Sequence, residues 1–251
     1  MQPIGYSTGA LALSDFLRAL RMLKDQPVQA VELSAIREHE LIPLLRALDE
    51  LDLSRYQYVS IHAPSSFSPE AEGWIFQELY ETRHRGWPII VHPDTLYDFS
   101  LWRLLGDLLC VENMDKRKPA GRTVRELEFL FRELPQASFC FDIGHARQVD
   151  TSMTEAYMML KRFASRLRQV HISEVNTQNK HDRLSFVSIL GFREVARLIP
   201  PTTPVIIESI VGQDQIRAEI CRVQSVLSPP EERPKLTLPP GPTPNPEPKL
   251  Y

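Results

Sequence analysis

Six side chains that can ligate metal, His62, His92, Glu112, Asp142, His171 and Glu208, each follow or end an apolar run. They lie 30, 20, 30, 29 and 37 residues apart, about one strand-plus-helix unit each. Three carboxylates brought together repel and raise one another's pKa unless cations sit between them. Three imidazoles complete a donor set suited to divalent ions. One ion can use four of the six, and two ions bridged by a carboxylate can use all six. A lone histidine at a strand end is more often a hydrogen-bonded rim residue than a ligand. Six such residues at six successive strand ends, with no Lys or Arg among them, are hard to obtain by surface decoration.

These positions need elements to carry them. Short apolar runs over 3–6, 28–33, 58–61, 88–91, 108–111, 139–145, 168–170 and 204–207 read as eight strands, the sixth being Phe139-Cys140-Phe141-Asp142-Ile143-Gly144-His145. Apolar residues at helical spacing fill the intervals, as in Phe16, Leu17, Leu20 and Leu23 after Ser14-Asp15. Thr123 is placed to cap one helix, with Glu126 at the reciprocal position. Runs apolar on both faces suit parallel strands covered by helices, and 251 residues suit a single α/β barrel whose site lies at the C-terminal strand ends. A doubly wound open sheet fits less well, because Gly5 and Gly9 do not form a dinucleotide fingerprint. The predicted fold class is therefore an α/β TIM (β/α)8 barrel over 1–227, followed by a proline-rich tail over 228–251.

Composition narrows the partners. A net charge of −3 gives no global pull toward polyanions or anionic membranes. Cys110, Cys140 and Cys221 have no paired spacing, which fits a reducing, cytoplasmic setting. No apolar run is long enough to cross a membrane. The tail cannot build a core; it reads as an appendage, with contact to another protein as the alternative. Lys116-Arg117-Lys118 and Arg122 form a basic loop after the fifth strand, which is either solvated or turned toward the rim.

The motifs Ile61-His62-Ala63-Pro64, Val91-His92-Pro93, Val111-Glu112-Asn113, Phe141-Asp142-Ile143-Gly144-His145, Val170-His171-Ile172-Ser173 and Ile206-Ile207-Glu208-Ser209 resemble the xylose-isomerase-like barrel superfamily. That group includes sugar isomerases and epimerases and the zinc-dependent endonucleases of abasic-site repair. In the isomerase branch, the resemblance implies one metal on Glu112, Asp142, His171 and Glu208. There Glu112 and Glu208 also act on the sugar carbon, and His145 binds substrate oxygens. In the endonuclease branch, it implies one zinc on His62, His92 and Glu112 and a second on Glu112, Asp142, His171 and Glu208. A third zinc there uses His145 with an Asp-x-His pair. This chain offers Asp182-Arg183-Leu184 at that place, with His181 before the Asp instead of after it.

The expected function is that of a divalent-metal-dependent enzyme acting on a small molecule. It carries one or two ions, zinc or manganese first, with magnesium, cobalt or iron also compatible. The additional imidazoles His62 and His92 favour a dinuclear hydrolase of phosphoester-like or small polar substrates using activated water. The alternatives are a one-metal sugar or sugar-phosphate isomerase or epimerase with a Glu112/Glu208 proton shuttle, and an inactive barrel serving as a binding protein. Duplex DNA is a weaker substrate, since its recognition needs a basic crescent. His145, His181, Asp182, Arg183 and Glu32 are candidates for a third site or for substrate contact. Glu32 is also placed to accept from Arg37, and Glu174 to orient His171.

Overall fold

The computed structural model describes residues 2–178 and 180–228; the proline-rich tail, apart from Ser228, lies outside the described residues. Eight parallel strands close a barrel: β1 (Ile4–Ser7), β2 (Ala30–Ser34), β3 (Tyr58–His62), β4 (Ile89–Val91), β5 (Leu109–Glu112), β6 (Ser138–Asp142), β7 (Leu167–Ile172) and, after a two-stranded hairpin of β8 (Glu174–Val175) and β9 (His181–Asp182), β10 (Val205–Ile207). Neighbours follow chain order, and β1 joins β10 to complete the ring. The outer helices are α1 (Thr8–Ala12), α2 (Phe16–Leu23), α3 (Glu38–Ala47), α4 (Pro69–Glu81), α5 (Phe99–Trp102), α6 (Val124–Glu133), α7 (Ile143–Val149), α8 (Thr154–Arg162), α9 (Phe186–Ala196) and α10 (Ile216–Leu227). The fold is a closed (β/α)8 TIM barrel.

Two hydrophobic regions result. The larger lies between strands and helices, built by residues such as Val31, Val91, Val111, Phe139, Phe141 and Ile207 on the strands' outer faces. The smaller, Ile90, Cys110 and Cys140, fills the barrel interior. Side chains alternate along a strand, so each interior residue fixes the direction of the one two positions later. Ser60 thus shares a face with His62, Ile90 with His92, Cys110 with Glu112, Cys140 with Asp142 and Gln169 with His171. Between β6 and β7 the register slips, Phe139 facing Leu167 while Cys140 faces Gln169. The bulge at Arg168 brings Asp142 level with His171.

The sixth strand is shorter than its sequence implies. It ends at Asp142, and Ile143 starts a helix, because the Asp142 carboxylate accepts the His145 amide at 2.6 Å and caps that helix. Between β7 and α9, His181–Asp182 pairs antiparallel with Glu174–Val175. Between β4 and β5 the chain forms short α5 followed by a 3-10 segment to Leu108. Buried Glu72 on α4 anchors that region, accepting from the Tyr97 and Asp98 amides and the Trp102 indole.

Barrel closure leaves no room at Gly5, where an added Cβ would stand 1.8 Å from the Ala30 carbonyl oxygen on β2. Gly5→Ala is expected to destabilise the fold by roughly 1–3 kcal/mol or more, as overpacking against backbone does. A denaturant midpoint equal to that of the parent protein would contradict this account of closure.

Candidate metal centre

Glu112 stands at the centre of the C-terminal mouth, buried to 1% exposure, and its two carboxylate oxygens face different imidazoles. Oε2 lies 3.3 Å from His62 Nε2 and 3.4 Å from His92 Nε2. Oε1 lies 3.2 Å from His171 Nδ1 and 3.3 Å from His145 Nδ1. His171 Nδ1 is also 3.5 Å from Glu208 Oε1, and His145 Nδ1 is 3.5 Å from Asp142 Oδ2. Four sets of donors have ligand atoms within 4.8 Å of one another: His62, His92 and Glu112; Glu112, Asp142, His171 and Glu208; Asp142, His145 and His181; and Glu32, His62 and Glu208.

The far nitrogens of His62, His92 and His171 are already engaged, whereas His145 turns its Nδ1 to both Glu112 and the Asn113 carbonyl. His62 Nδ1 lies 2.6 Å from the Ala63 carbonyl and His92 Nδ1 3.1 Å from that of Ser65. His171 Nε2 lies 3.0 Å from Glu32 Oε2. In the neutral tautomer that donates outward, the nitrogen facing Glu112 carries a lone pair. Lone pairs directed at carboxylate oxygens require a cation between them, either a proton or a metal. Separations of 3.2–3.5 Å match the edge, about 3.3 Å, of a tetrahedron with zinc bonds of about 2.0–2.1 Å. Asp142 Oδ2 is buried without a hydrogen-bond partner, a costly state that an ion would relieve. The residues therefore fit divalent metal.

Electrostatics in the metal-free barrel follow the same crowding. Burial opposes ionisation of Glu112, yet His171 and the other imidazoles hold its pKa well below the carboxylate range. Burial raises Asp142. It also drives Glu208 up to about 8, assisted by Glu112 and Asp142 against the opposing His171. Burial acts against the imidazoliums, but Glu112 and Glu32 carry His62 up to about 9, and Asp142 with Glu112 carries His145 up to about 10. His181 is pushed down to about 3 by burial and by neighbouring His145.

Several expectations for the surrounding residues are corrected. Glu32 neither lies at the rim nor pairs with Arg37. It is fully buried one level below the mouth, accepting from Ser60 Oγ, Gln169 Nε2 and His171, whereas Arg37 points outward and pairs with Glu40. Glu174 does not orient His171; it accepts from the Ser185 amide and the Ser188 hydroxyl. Asp182 and Arg183 are exposed and line a separate depression beside Phe186 and Arg222. His181 turns inward, held by Ser173 Oγ at 2.8 Å and 3.5 Å from Glu208 Oε2. Successive strand residues face opposite ways, so only one of His181 and Asp182 can enter the mouth.

Sequence reasoning passed over Gln169, which donates to Glu32 and accepts from Tyr58, and the bridging role of Asn113. The Asn113 side chain spans the ends of β5 and β6, bonded to both the amide and the carbonyl of Asp142. A polar residue two places before a strand-end ligand was the available signal for Glu32's level and for Gln169. Gly144 lets α7 lie against the end of β7, since a Cβ would meet the Ser173 carbonyl at 2.4 Å.

The mouth opens into a cavity of about 260 Å³ reached by His62, His92, Glu112, His145, His181 and Glu208. Arg117 and Lys118 line it too, so the basic loop after β5 does turn toward the rim. Each is paired, Arg117 with Asp115 at 2.5 Å and Lys118 with Asp94 at 2.8 Å. Among the described residues no helix is long and apolar enough to cross a membrane.

No protein-family model matches the chain, and no curated protein does. Solved structures do match in fold. Endonuclease IV from Thermus thermophilus superposes with a TM-score of 0.60 at 18% identity, over 90% of this chain and 98% of that one. A protein of Anabaena variabilis described as a candidate sugar phosphate isomerase/epimerase gives 0.53 at 15% identity, over 95% and 93%. SacUVDE gives 0.55 at 14% identity, over 90% and 99%. At these identities the likeness is one of fold.

The geometry makes zinc uptake depend on pH and on the residue behind His171. A ligand nitrogen must be unprotonated, and His62 and His145, with pKa values raised to about 9 and about 10, hold protons at pH 7 in the metal-free protein. Zinc uptake must displace them, so apparent affinity should climb from pH 6 to 9, by about tenfold per pH unit for each displaced proton. Competition with a chromophoric chelator measures this, and a flat profile would contradict it. Glu32→Gln, which keeps the shape but removes the charge behind His171, should weaken zinc binding about 10- to 100-fold in the same assay.

Proposed function

We propose that this chain is a metal-dependent hydrolase that cleaves small phosphoester substrates with two ions bridged by Glu112. The observation that carries this reading is the division of Glu112 between two imidazole sets, His62 and His92 at one oxygen, His171 and His145 at the other. His62, His92 and Glu112 would hold one ion, and Glu112, Asp142, His171 and Glu208 the other. Asp142, His145 and His181 form a further set of the same compactness. The mixed imidazole and carboxylate donors suit zinc or manganese.

Ions held there would supply activated water at neutral pH and charge stabilisation for the departing ester oxygen. The chain's own groups do the rest. Glu208 is the most exposed of the three central carboxylates, 13% against 1% and 0% for Glu112 and Asp142, and it lines the cavity. Its Oε2, beside His181 Nδ1, is placed to take and return a proton. Ser173 holds the His181 ring, and Glu32, itself held by Gln169, holds His171 from below. Arg117 and Lys118 line the wall, each already paired with a carboxylate.

The one-metal isomerase reading is weaker because it needs Glu112 as a base toward carbon. Both oxygens of Glu112 are hemmed in by imidazoles, which leaves neither open toward a substrate carbon. A duplex substrate is disfavoured by the paired state of both cavity-wall cations and by a cavity of about 260 Å³, below the roughly 300–1,000 Å³ of drug-sized ligand sites.

The test is metal content together with turnover. Protein loaded with zinc or manganese should hold at least two ions per chain by elemental analysis and hydrolyse bis(p-nitrophenyl) phosphate. Glu112→Ala, checked for folding by circular dichroism, should lose metal and about a thousandfold or more in kcat/KM, the order expected when activated water is lost. One ion per chain with interconversion of sugar phosphates and no ester cleavage would overturn the proposal, and cleavage of an abasic duplex at rates above the small ester would redirect it to nucleic acid.

A further inference from the structure

The rim of the cavity is chemically divided. Successive loops after β3, β4 and β5 bring Ser65, His92, Arg117 and Lys118 to one side. The loops after β10, β1 and β2, neighbours around the barrel, bring Ile210, Leu13 and Ile36 to the other. Leu13 and Ile210, 57% and 54% exposed, are the two exposed large aliphatic side chains among the described residues that line this cavity.

Leu13 is also held in an unfavourable backbone conformation, φ 53° and ψ −122°, a region that suits glycine. Among the described residues only Met153 shares a positive φ without being glycine. Met153 adopts the left-handed helical values φ 62° and ψ 10° and is buried at 3% exposure, so its packing offsets the strain. Leu13 has no comparable burial. The hydrogen bond from its amide to the Gly9 carbonyl, 3.0 Å, is a backbone interaction that glycine would make equally well. Neither local conformation nor core packing accounts for leucine at this position, and strain of this kind collects where a side chain must meet a ligand.

We infer that Leu13 and Ile210 form the subsite for an apolar substituent of the substrate, so that the preferred phosphoester carries a bulky apolar group, as a phenyl ring provides, on that side of the cavity. This rests on the hydrolase reading and deepens it. The anionic centre would lie over the Glu112 cluster, and the apolar substituent would leave water against Leu13, Ile210 and half-buried Ile36. Both residues are specificity determinants that touch the substrate without taking part in proton transfer.

Binding measurements separate this inference from the reading beneath it. Phenylphosphonate and methylphosphonate, neither of which is hydrolysed, are titrated calorimetrically into the zinc-loaded protein. The parent should bind phenylphosphonate at least about tenfold more tightly, as apolar contacts in a pocket provide. Leu13→Gly and Ile210→Ser should each reduce that ratio, and together bring it near one. Leu13→Gly should melt no lower than the parent, because glycine accepts the backbone conformation; a purely structural leucine would lower Tm. Equal affinities in the parent, no binding of either probe, or a ratio that survives both substitutions would overturn the subsite. Absence of any ester hydrolysis alongside an intact phenyl preference would instead sink the hydrolase reading and leave the apolar subsite standing.

Discussion

Burial of several carboxylates at one end of the barrel is the constraint on which the rest of the structure depends. Glu32, Glu112 and Asp142 are essentially removed from water, and Glu208 nearly so. Anions at such spacing cannot all remain charged without cations among them. The chain supplies imidazoles on every side of Glu112, and these can carry protons or yield their places to metal. Each arrangement neutralises the same acidic cluster. The fold and the charge at its mouth are therefore linked, since carboxylates so buried need positive charge among them, whether as protons on the imidazoles or as metal.

Precision at the mouth comes from the level below it. Strand alternation sets the direction of each ligand, but direction alone leaves rings free to turn. Ala63, Ser65 and Glu32 each hold the far nitrogen of one imidazole, and Asn113 fixes the end of β6 against β5. Such contacts decide ring tautomer and basicity as well as position. Ser60, Gln169 and Glu32 thus lie below the ligands beside apolar Ile90, Cys110 and Cys140, with Cys140 facing Gln169 between β6 and β7.

The barrel itself was legible because its strands are short apolar runs at regular intervals and the chemistry begins where each run stops. The six principal candidates share that signature, and the structure brings all six together in one mouth. Legibility failed where placement depended on local turns or on depth. Asp142 ends its strand early because its carboxylate also caps α7, a dual use that hydrophobic pattern does not reveal. Glu32 looked like a rim residue because it is charged, yet a charge inside a strand can be buried when a histidine and an amide meet it. Asp182 and Arg183 were attractive by motif, but the hairpin reverses their facing and presents His181 instead. Interactions across 137 and 139 residues, such as Gln169 and His171 with Glu32, leave no local trace.

Likeness of fold to both an endonuclease and a candidate sugar phosphate isomerase/epimerase does not choose between chemistries, because barrels of one shape host many reactions. The choice lies with what Glu112 is free to do. A carboxylate that moves protons to and from carbon must have an oxygen open to substrate and a pKa near the working range. Glu112 lacks the first: its Oε1 and Oε2 each face two imidazole nitrogens. On the hydrolase reading proposed above, a carboxylate so placed would hold metal through both oxygens, and proton transfer would fall to the more open Glu208.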